Sequence, residues 1–235
     1  MRIAAIIPAR LGAERLPNKP LALLGGQPLI QRTYDAVAHL FDEVLVATDA
    51  TEIAAVCGSL NIPCVMTKTH PNGTSRCAEA AQHLQETPDY IINIQGDEPF
   101  LTNAHIQPLI ALLNTAKPEA ATVAAPALNT SDSNVYVAMD GAQRALYFSR
   151  LPIPAERDAN GQAKRFQHLG IYAFTPEALN TYIALAPTEL EQWEKLEQLR
   201  WMYHGHQWYV AIAPDKPLSI DTPEDLKEAG ELFPK

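Results

Sequence analysis

Along the first half of the chain, apolar runs of strand length alternate with apolar positions at helical spacing. Arg2–Ala9 (RIAAIIPA) is a near-continuous apolar run, the pattern of a strand buried on both faces. Gln27–Phe41 then places Leu29, Ile30, Thr33, Tyr34, Val37 and Leu40 at helical spacing. Glu43–Thr48 reads as the next strand, Thr51–Leu60 as a helix and Pro63–Thr67 as a strand. Asn72–Gln85 predicts a further helix and Asp89–Gln95 a further strand; a helix around Ala104–Leu113 and a strand at Ala121–Pro126 extend the series. Alternation of this kind predicts a parallel, doubly wound sheet.

From about Asn129 the rhythm changes. Val135–Met139 and Ala145–Ser149 flank Asp140–Arg144, whose Asp-Gly step predicts a hairpin. A polar, proline-bearing stretch, Leu151–Arg165, leads into a strand at His168–Phe174. Pro176–Ala184 and Leu190–Met202 carry helical patterns, and Trp208–Ala213 is strand-like. The last helix has a marked start, with Thr222 as N-cap, Pro223 at its first position and Asp225 at its third. With no repeat or inter-domain linker, the expectation is one domain over 1–235, with an excursion from the main sheet at about 129–190.

Composition narrows the function. At 235 residues the chain is long enough for a sizeable core, and its 47% hydrophobic content excludes wholesale disorder. A net charge of −9 argues against nucleic acid as a partner, because neutralising a phosphate backbone needs a basic face. Cys57, Cys64 and Cys77 are odd in number and form no C-x-x-C pair, which fits a reducing, cytoplasmic setting. No apolar stretch approaches the ~20 residues of a membrane span, and the start carries no leader-like apolar core, so no membrane partner is expected.

The common nucleotide signatures G-x-x-x-x-G-K-[ST] and G-x-G-x-x-G are absent, as are H-E-x-x-H and G-x-S-x-G. What remains is a cationic loop after the first strand, with Arg10, Arg15 and Lys19 opposed only by Glu14. Ligands of open α/β sheets bind beyond the carboxyl ends of the strands, where guanidinium and ammonium groups suit a polyphosphate; the alternative is a solvated loop with incidental bases. Gln95-Gly96-Asp97-Glu98-Pro99 follows a strand and offers Asp97 to a magnesium ion, or merely forms an Asx-type turn. Asp221 offers a second carboxylate, or else serves the dipole of the last helix. His70–Arg76 (HPNGTSR) offers backbone groups to a base or phosphate, or is a helix-capping turn. His168 lies within a strand pattern, where a lone histidine is more often structural.

These stretches in this order resemble the 3-deoxy-D-manno-octulosonate (Kdo) cytidylyltransferases, or CMP-Kdo synthetases. The resemblance runs through IIPARLGAERLPNKPL, ATD at Ala47–Asp49, HPNGTSR, NIQGDEP, ALYFSR at Ala145–Arg150, HLGIYAF, LEQLR at Leu196–Arg200 and DTPEDL at Asp221–Leu226. It implies a nucleotide-diphosphosugar-transferase-like α/β fold, with a central, mostly parallel sheet, helices on both faces and a β-rich excursion used for dimerisation. It also implies an Mg2+-dependent reaction of CTP with a 2-keto-3-deoxy sugar acid, in a cytoplasmic homodimer serving lipopolysaccharide synthesis. Carried onto matching positions, Arg10, Lys19, Asp97 and Asp221 would be catalytic, with Asp97 and Asp221 holding the metal. Arg15, Gly73, Thr74 and Arg76 would bind the nucleotide, and Gln95, Arg150, His168, Glu197 and Gln198 the sugar acid.

The chain departs from the resemblance in two places. Asn72 and Ser75 stand where the family loop usually has Ser and an acid, and Tyr136 stands where it commonly has Lys. Cytosine preference is expected to survive, because the loop works largely through its backbone, while Tyr136 leaves sugar contacts open. The alternatives are therefore a cytidylyltransferase for 8-amino-Kdo or a sialic acid, or a nucleotide-binding relative without turnover. The retained cationic and acidic residues speak against the last.

Overall fold

The structure is a computed structural model that describes residues 1–12, 15–128, 134–157 and 163–233. Glu14 and the change of rhythm at Asn129 lie outside the described residues. In chain order the elements are β1 (Ile3–Ala9), β2 (Leu23–Leu24), β3 (Gln27–Pro28), α1 (Leu29–Val37), β4 (Glu43–Thr48), α2 (Thr51–Ser59), β5 (Cys64–Met66), α3 (Gly73–Ala80) and β6 (Tyr90–Asn93). They continue with α4 (Asn103–Ala116), β7 (Ala120–Pro126), β8 (Tyr136–Met139), β9 (Ala145–Ser149), β10 (Phe166–Phe174), α5 (Pro176–Ala184), α6 (Glu189–Glu194), α7 (Gln198–Tyr203), β11 (Tyr209–Ile212) and α8 (Pro223–Glu231). The class is mixed α/β, with mostly parallel strands in its first half, as the alternation predicts.

The chain forms two compact units, Met1–Asn103 with Pro217–Lys235, and Ala104–Lys216. In the first, β6, β1, β4 and β5 lie side by side and all pair in parallel. Its core is aliphatic: Ile6, Ile7, Leu29, Ile30 and Ile53 are fully buried. The returning segment joins that core through Ile220 and Ala229, which pack with Leu16, Leu24 and Leu29. The start of α8 is as expected, with the Thr222 side chain accepting from Asp225 N and the Asp225 carboxylate accepting from Thr222 N.

The second unit has a different order. β7 does not continue the parallel series there: it pairs in parallel with β11 but antiparallel with β10, which in turn pairs antiparallel with β8. The hairpin β8–β9 forms as expected, its turn held by Asp140 Oδ1, which accepts from Ala142 N and Arg144 N at 2.9 Å each. This core is aromatic, with Trp201, Trp208, Tyr182, Phe148 and Phe174 all nearly inaccessible. The expected excursion at 129–190 falls inside this unit.

Two further elements differ from expectation. Residues Gln27 and Pro28 do not begin the helix but pair with Leu23–Leu24 around Gly25 and Gly26, whose φ values of 56° and 79° suit a tight glycine turn. The expected helix Leu190–Met202 is two helices, broken where Lys195 takes the left-handed conformation at φ 54°. Leu196, Leu199 and Trp201 are buried whereas α6 buries no residue, so the chain turns at Lys195 to face the core.

Candidate active site

In the first unit the cationic loop and two acidic segments converge. Leu16 is buried, and Lys19 opens a short 3-10 turn whose Pro20 is also buried, so the loop is anchored on both sides of Asn18. Gly96 lets the segment after β6 lie against the end of β1: a Cβ there would sit 3.3 Å from the Pro8 carbonyl oxygen. Thr33 Oγ1 donates to Gly96 O at 3.1 Å. Ile220 N donates to Asp97 O at 3.0 Å, which brings Asp221 beside Asp97.

At that junction the Lys19 ammonium donates to Asp97 Oδ2 at 2.5 Å and to Asp221 Oδ1 at 2.8 Å. Arg15 adds an ion pair with Asp221 at 3.1 Å. Burial would lower the Lys19 pKa, but attraction to Asp97 and hydrogen bonds to Asp221 and Asp97 outweigh it and leave the pKa raised. Of the two readings for Asp221, the ion pairs favour the site: Asp225, not Asp221, supplies the carboxylate of the α8 capping box. Arg10 is exposed just beyond β1 and makes no ion pair among the described residues.

Asp97 and Asp221 thus direct two carboxylate oxygens at one cationic centre. Such a donor set fits magnesium, which is commonly held by one or two carboxylates while water and substrate phosphates fill its other positions. Among the described residues, no group of three or more His, Cys, Asp or Glu gathers to form an all-protein metal cage.

The HPNGTSR loop runs into α3. Asn72 caps the helix by accepting from Ser75 N at 2.8 Å, and Ser75 Oγ donates back to Asn72 O at 3.1 Å. The two substituted loop residues, Asn72 and Ser75, therefore complete each other as a cap. Gly73 lies over Pro8, where a Cβ would approach its ring to 3.1 Å. Thr74 is buried near Asn93, to whose side chain Gln95 Nε2 donates at 3.4 Å. Arg76, which the resemblance assigns to the nucleotide, is engaged by protein groups. It is only 3% exposed and binds Asp49 at 3.0 Å and Thr67 Oγ1 at 2.7 Å, so it ties α3 to the segments after β4 and β5.

The second unit holds Arg150, His168, Glu197 and Gln198. Arg150 donates from Nε to Glu194 O and from its terminal nitrogen to Lys195 O, both at 3.2 Å, while its backbone N–H meets the Glu194 carboxylate at 3.0 Å. His168 is buried between the rings of Phe148 and Tyr172, with Nε2 2.7 Å from Thr122 Oγ1. Burial, with the nearby Arg150 charge, pushes its pKa down to about 3, so the ring is neutral around neutral pH. Gln198 Oε1 accepts from Tyr172 OH at 3.2 Å, and Glu197 O accepts from Tyr182 OH at 2.9 Å. Tyr136, in place of the family lysine, is fully buried with its hydroxyl accepting from Asn134 Nδ2.

Motif reading gave no role to Thr122, Tyr172, Glu194 or Asp49, although HLGIYAF contains Tyr172 and ATD contains Asp49. For Thr122 a signal existed: it is the one polar residue in the otherwise apolar strand AATVAAP. A buried hydroxyl in such a strand needs a partner.

A cytidylyltransferase family model matches residues 4–212. A 3-deoxy-manno-octulosonate cytidylyltransferase of Anaeromyxobacter sp. (strain Fw109-5) is 44% identical, the alignment covering 99% of this chain and 97% of that protein. One of Syntrophobacter fumaroxidans is 42% identical over 97% and 95% of the two chains. Among solved structures, a CMP:2-keto-3-deoxy-manno-octonic acid synthetase complexed with CTP superposes with a TM-score of 0.91 at 33% identity, covering 99% of this chain and 98% of that one.

Proposed function

The chain belongs to the cytidylyltransferase family and, within it, to the 3-deoxy-manno-octulosonate branch, and from that premise we propose that it transfers CMP from CTP to the anomeric 2-hydroxyl of Kdo. Pyrophosphate is the other product, and lipopolysaccharide synthesis is the destination of the sugar nucleotide. The observation that carries the proposal is the convergence of Lys19, Asp97 and Asp221.

The hydroxyl oxygen attacks the α-phosphorus in line as the bond to pyrophosphate breaks, so the work is positioning and charge neutralisation. Arg10, Arg15 and Lys19 hold the phosphates and stabilise the departing pyrophosphate. Gly73, Thr74 and Arg76 bind the nucleotide, with backbone groups around Gly73 and Thr74 receiving cytosine on a loop that Arg76 ties to Asp49. Gln95, Arg150, His168, Glu197 and Gln198 bind the sugar acid. Asp97 and Asp221 would hold Mg2+, which supplies charge neutralisation at the phosphates and a lowered pKa for the attacking hydroxyl.

A homodimer is part of the proposal, supported by Leu146, Leu151 and Trp193, which are 60%, 74% and 84% exposed on and beside β9 and α6. A cytoplasmic setting is supported by three free cysteines. Pyrophosphate release, measured for each nucleoside triphosphate against Kdo, 8-amino-Kdo and a sialic acid, tests the activity. Release with CTP and Kdo is expected. Release only with another acid replaces the substrate, and silence with every pair despite CTP binding overturns the catalytic reading.

A further inference from the structure

Within the HLGIY stretch, the ladder between β10 and β7 shifts register between His168 and Tyr172, and Gly170 takes φ 67°. Such a bulge interrupts the regular backbone pairing. Here the Ile171 carbonyl is met by a side chain, with Thr122 Oγ1 donating to it at 2.6 Å. A threonine hydroxyl has a single hydrogen. Once it is given to Ile171 O, Thr122 can only accept from the other neighbour, His168 Nε2, at 2.7 Å. His168 must therefore carry its proton on Nε2. Its Nδ1 then holds a lone pair, with no protein partner among the described residues.

We propose that Thr122 is a positioning residue that fixes the tautomer of His168, so that the ring presents an accepting Nδ1 to a hydroxyl of the sugar acid. The neutral state of the buried ring agrees with this role. So does the neighbouring amide. Tyr172, whose ring centroid lies 5.2 Å from that of His168, donates to Gln198 Oε1 and leaves the buried Gln198 Nε2 as a donor without a protein partner. One accepting nitrogen and one donating nitrogen match a hydroxyl, which both gives and takes a hydrogen bond. A carboxylate only accepts, and is matched instead by Arg150.

The inference rests on the placement of His168 at the sugar, and the test separates the two. The full-length protein, labelled with 15N-histidine, is studied by imidazole 15N–1H correlation, with His168→Gln identifying the signal. Wild type should show protonated Nε2 and unprotonated Nδ1. Thr122→Val should shift the ring toward the other tautomer and raise KM for Kdo about tenfold, the equivalent of one ordinary hydrogen bond, with KM for CTP unchanged. Thr122→Ser, which keeps the hydroxyl, should restore both. A wild-type ring protonated on Nδ1 overturns the proposal without any variant, as does a Thr122→Val spectrum identical to wild type. A tautomer shift with unchanged KM for Kdo overturns the placement of His168 at the sugar instead, and an unaltered KM for Kdo in His168→Gln would confirm that failure.

Discussion

The residues around Lys19 and those around His168 answer to different physics. The first set is charged and partly exposed, lies on loops beyond strand ends, and is held by mutual attraction: one ammonium shared by Asp97 and Asp221, with Arg15 alongside. The second set centres on side chains inside aromatic packing whose partners are fixed by hydrogen-bond arithmetic, Thr122 for His168 and Tyr172 for Gln198. Ion pairs at half-exposed sites can be exchanged when a polyanion arrives, since each lost contact is replaced by another charge or by water. Buried neutral donors and acceptors have no such alternative, and they discriminate by leaving a wrong ligand unsatisfied. A transfer between a polyphosphate and a polyhydroxylated acid needs both kinds of surface.

The largest expected effect breaks the charged side. Asp97→Asn should lower kcat about 10²–10³-fold, the scale for losing one group that stabilises developing charge, while calorimetric CTP affinity changes far less. An unimpaired kcat would remove Asp97 from the machinery. Next, acid should weaken the His168 side. The folded His168 pKa of about 3 lies below the ordinary value of 6.5, so the unfolded chain binds the extra proton between them. Its contribution to stability is present above pH 6.5 and is lost as pH falls toward 3, at up to about 1.4 kcal/mol per pH unit. Denaturant melts of His168→Gln should show a correspondingly flatter acid limb than wild type; parallel limbs would mean that the ring is not held neutral.

Asn72→Ala should cost about 1 kcal/mol, the usual worth of an N-cap, with a modest rise in KM for CTP. Asn72→Ser should be nearly silent in melts and kinetics alike. The smallest effect in ordinary buffers is the alkaline limb of Lys19. Its folded pKa stands above 10.5, so the stability it contributes is complete below that value and is lost only as pH rises through the raised one. Stability curves of wild type and Lys19→Met should therefore converge only in strong alkali. Convergence near neutrality would contradict the shared-ammonium geometry.

Elements with strong local signals could be read from the chain alone: β4 and α5 have their expected bounds, and the Thr222–Asp225 box starts α8. The motifs also marked Lys19, Asp97 and Asp221 as members of one group. Their meeting could not be read from spacing, because it depends on a backbone bond from Ile220 to Asp97 between distant segments. The break at Lys195 was hidden because Leu190–Met202 keeps a helical pattern even as its buried face changes. The antiparallel pairing of β7 with β10 is likewise a tertiary choice that an apolar run does not encode. The pairing of Arg76 with Asp49 is a further tertiary contact that the loop motif does not reveal.

The bond from Ile220 to Asp97 also has a bearing on biosynthesis. The ribosome makes Lys19 and Asp97 early, then the whole of Ala104–Lys216, before Asp221 emerges to close the group. Closing so long a loop adds little entropy cost per added residue, but it cannot happen ahead of translation. A nascent chain stopped short of Asp221 would carry the loop, the first carboxylate and the entire second unit, and still lack the junction at which Lys19 is shared.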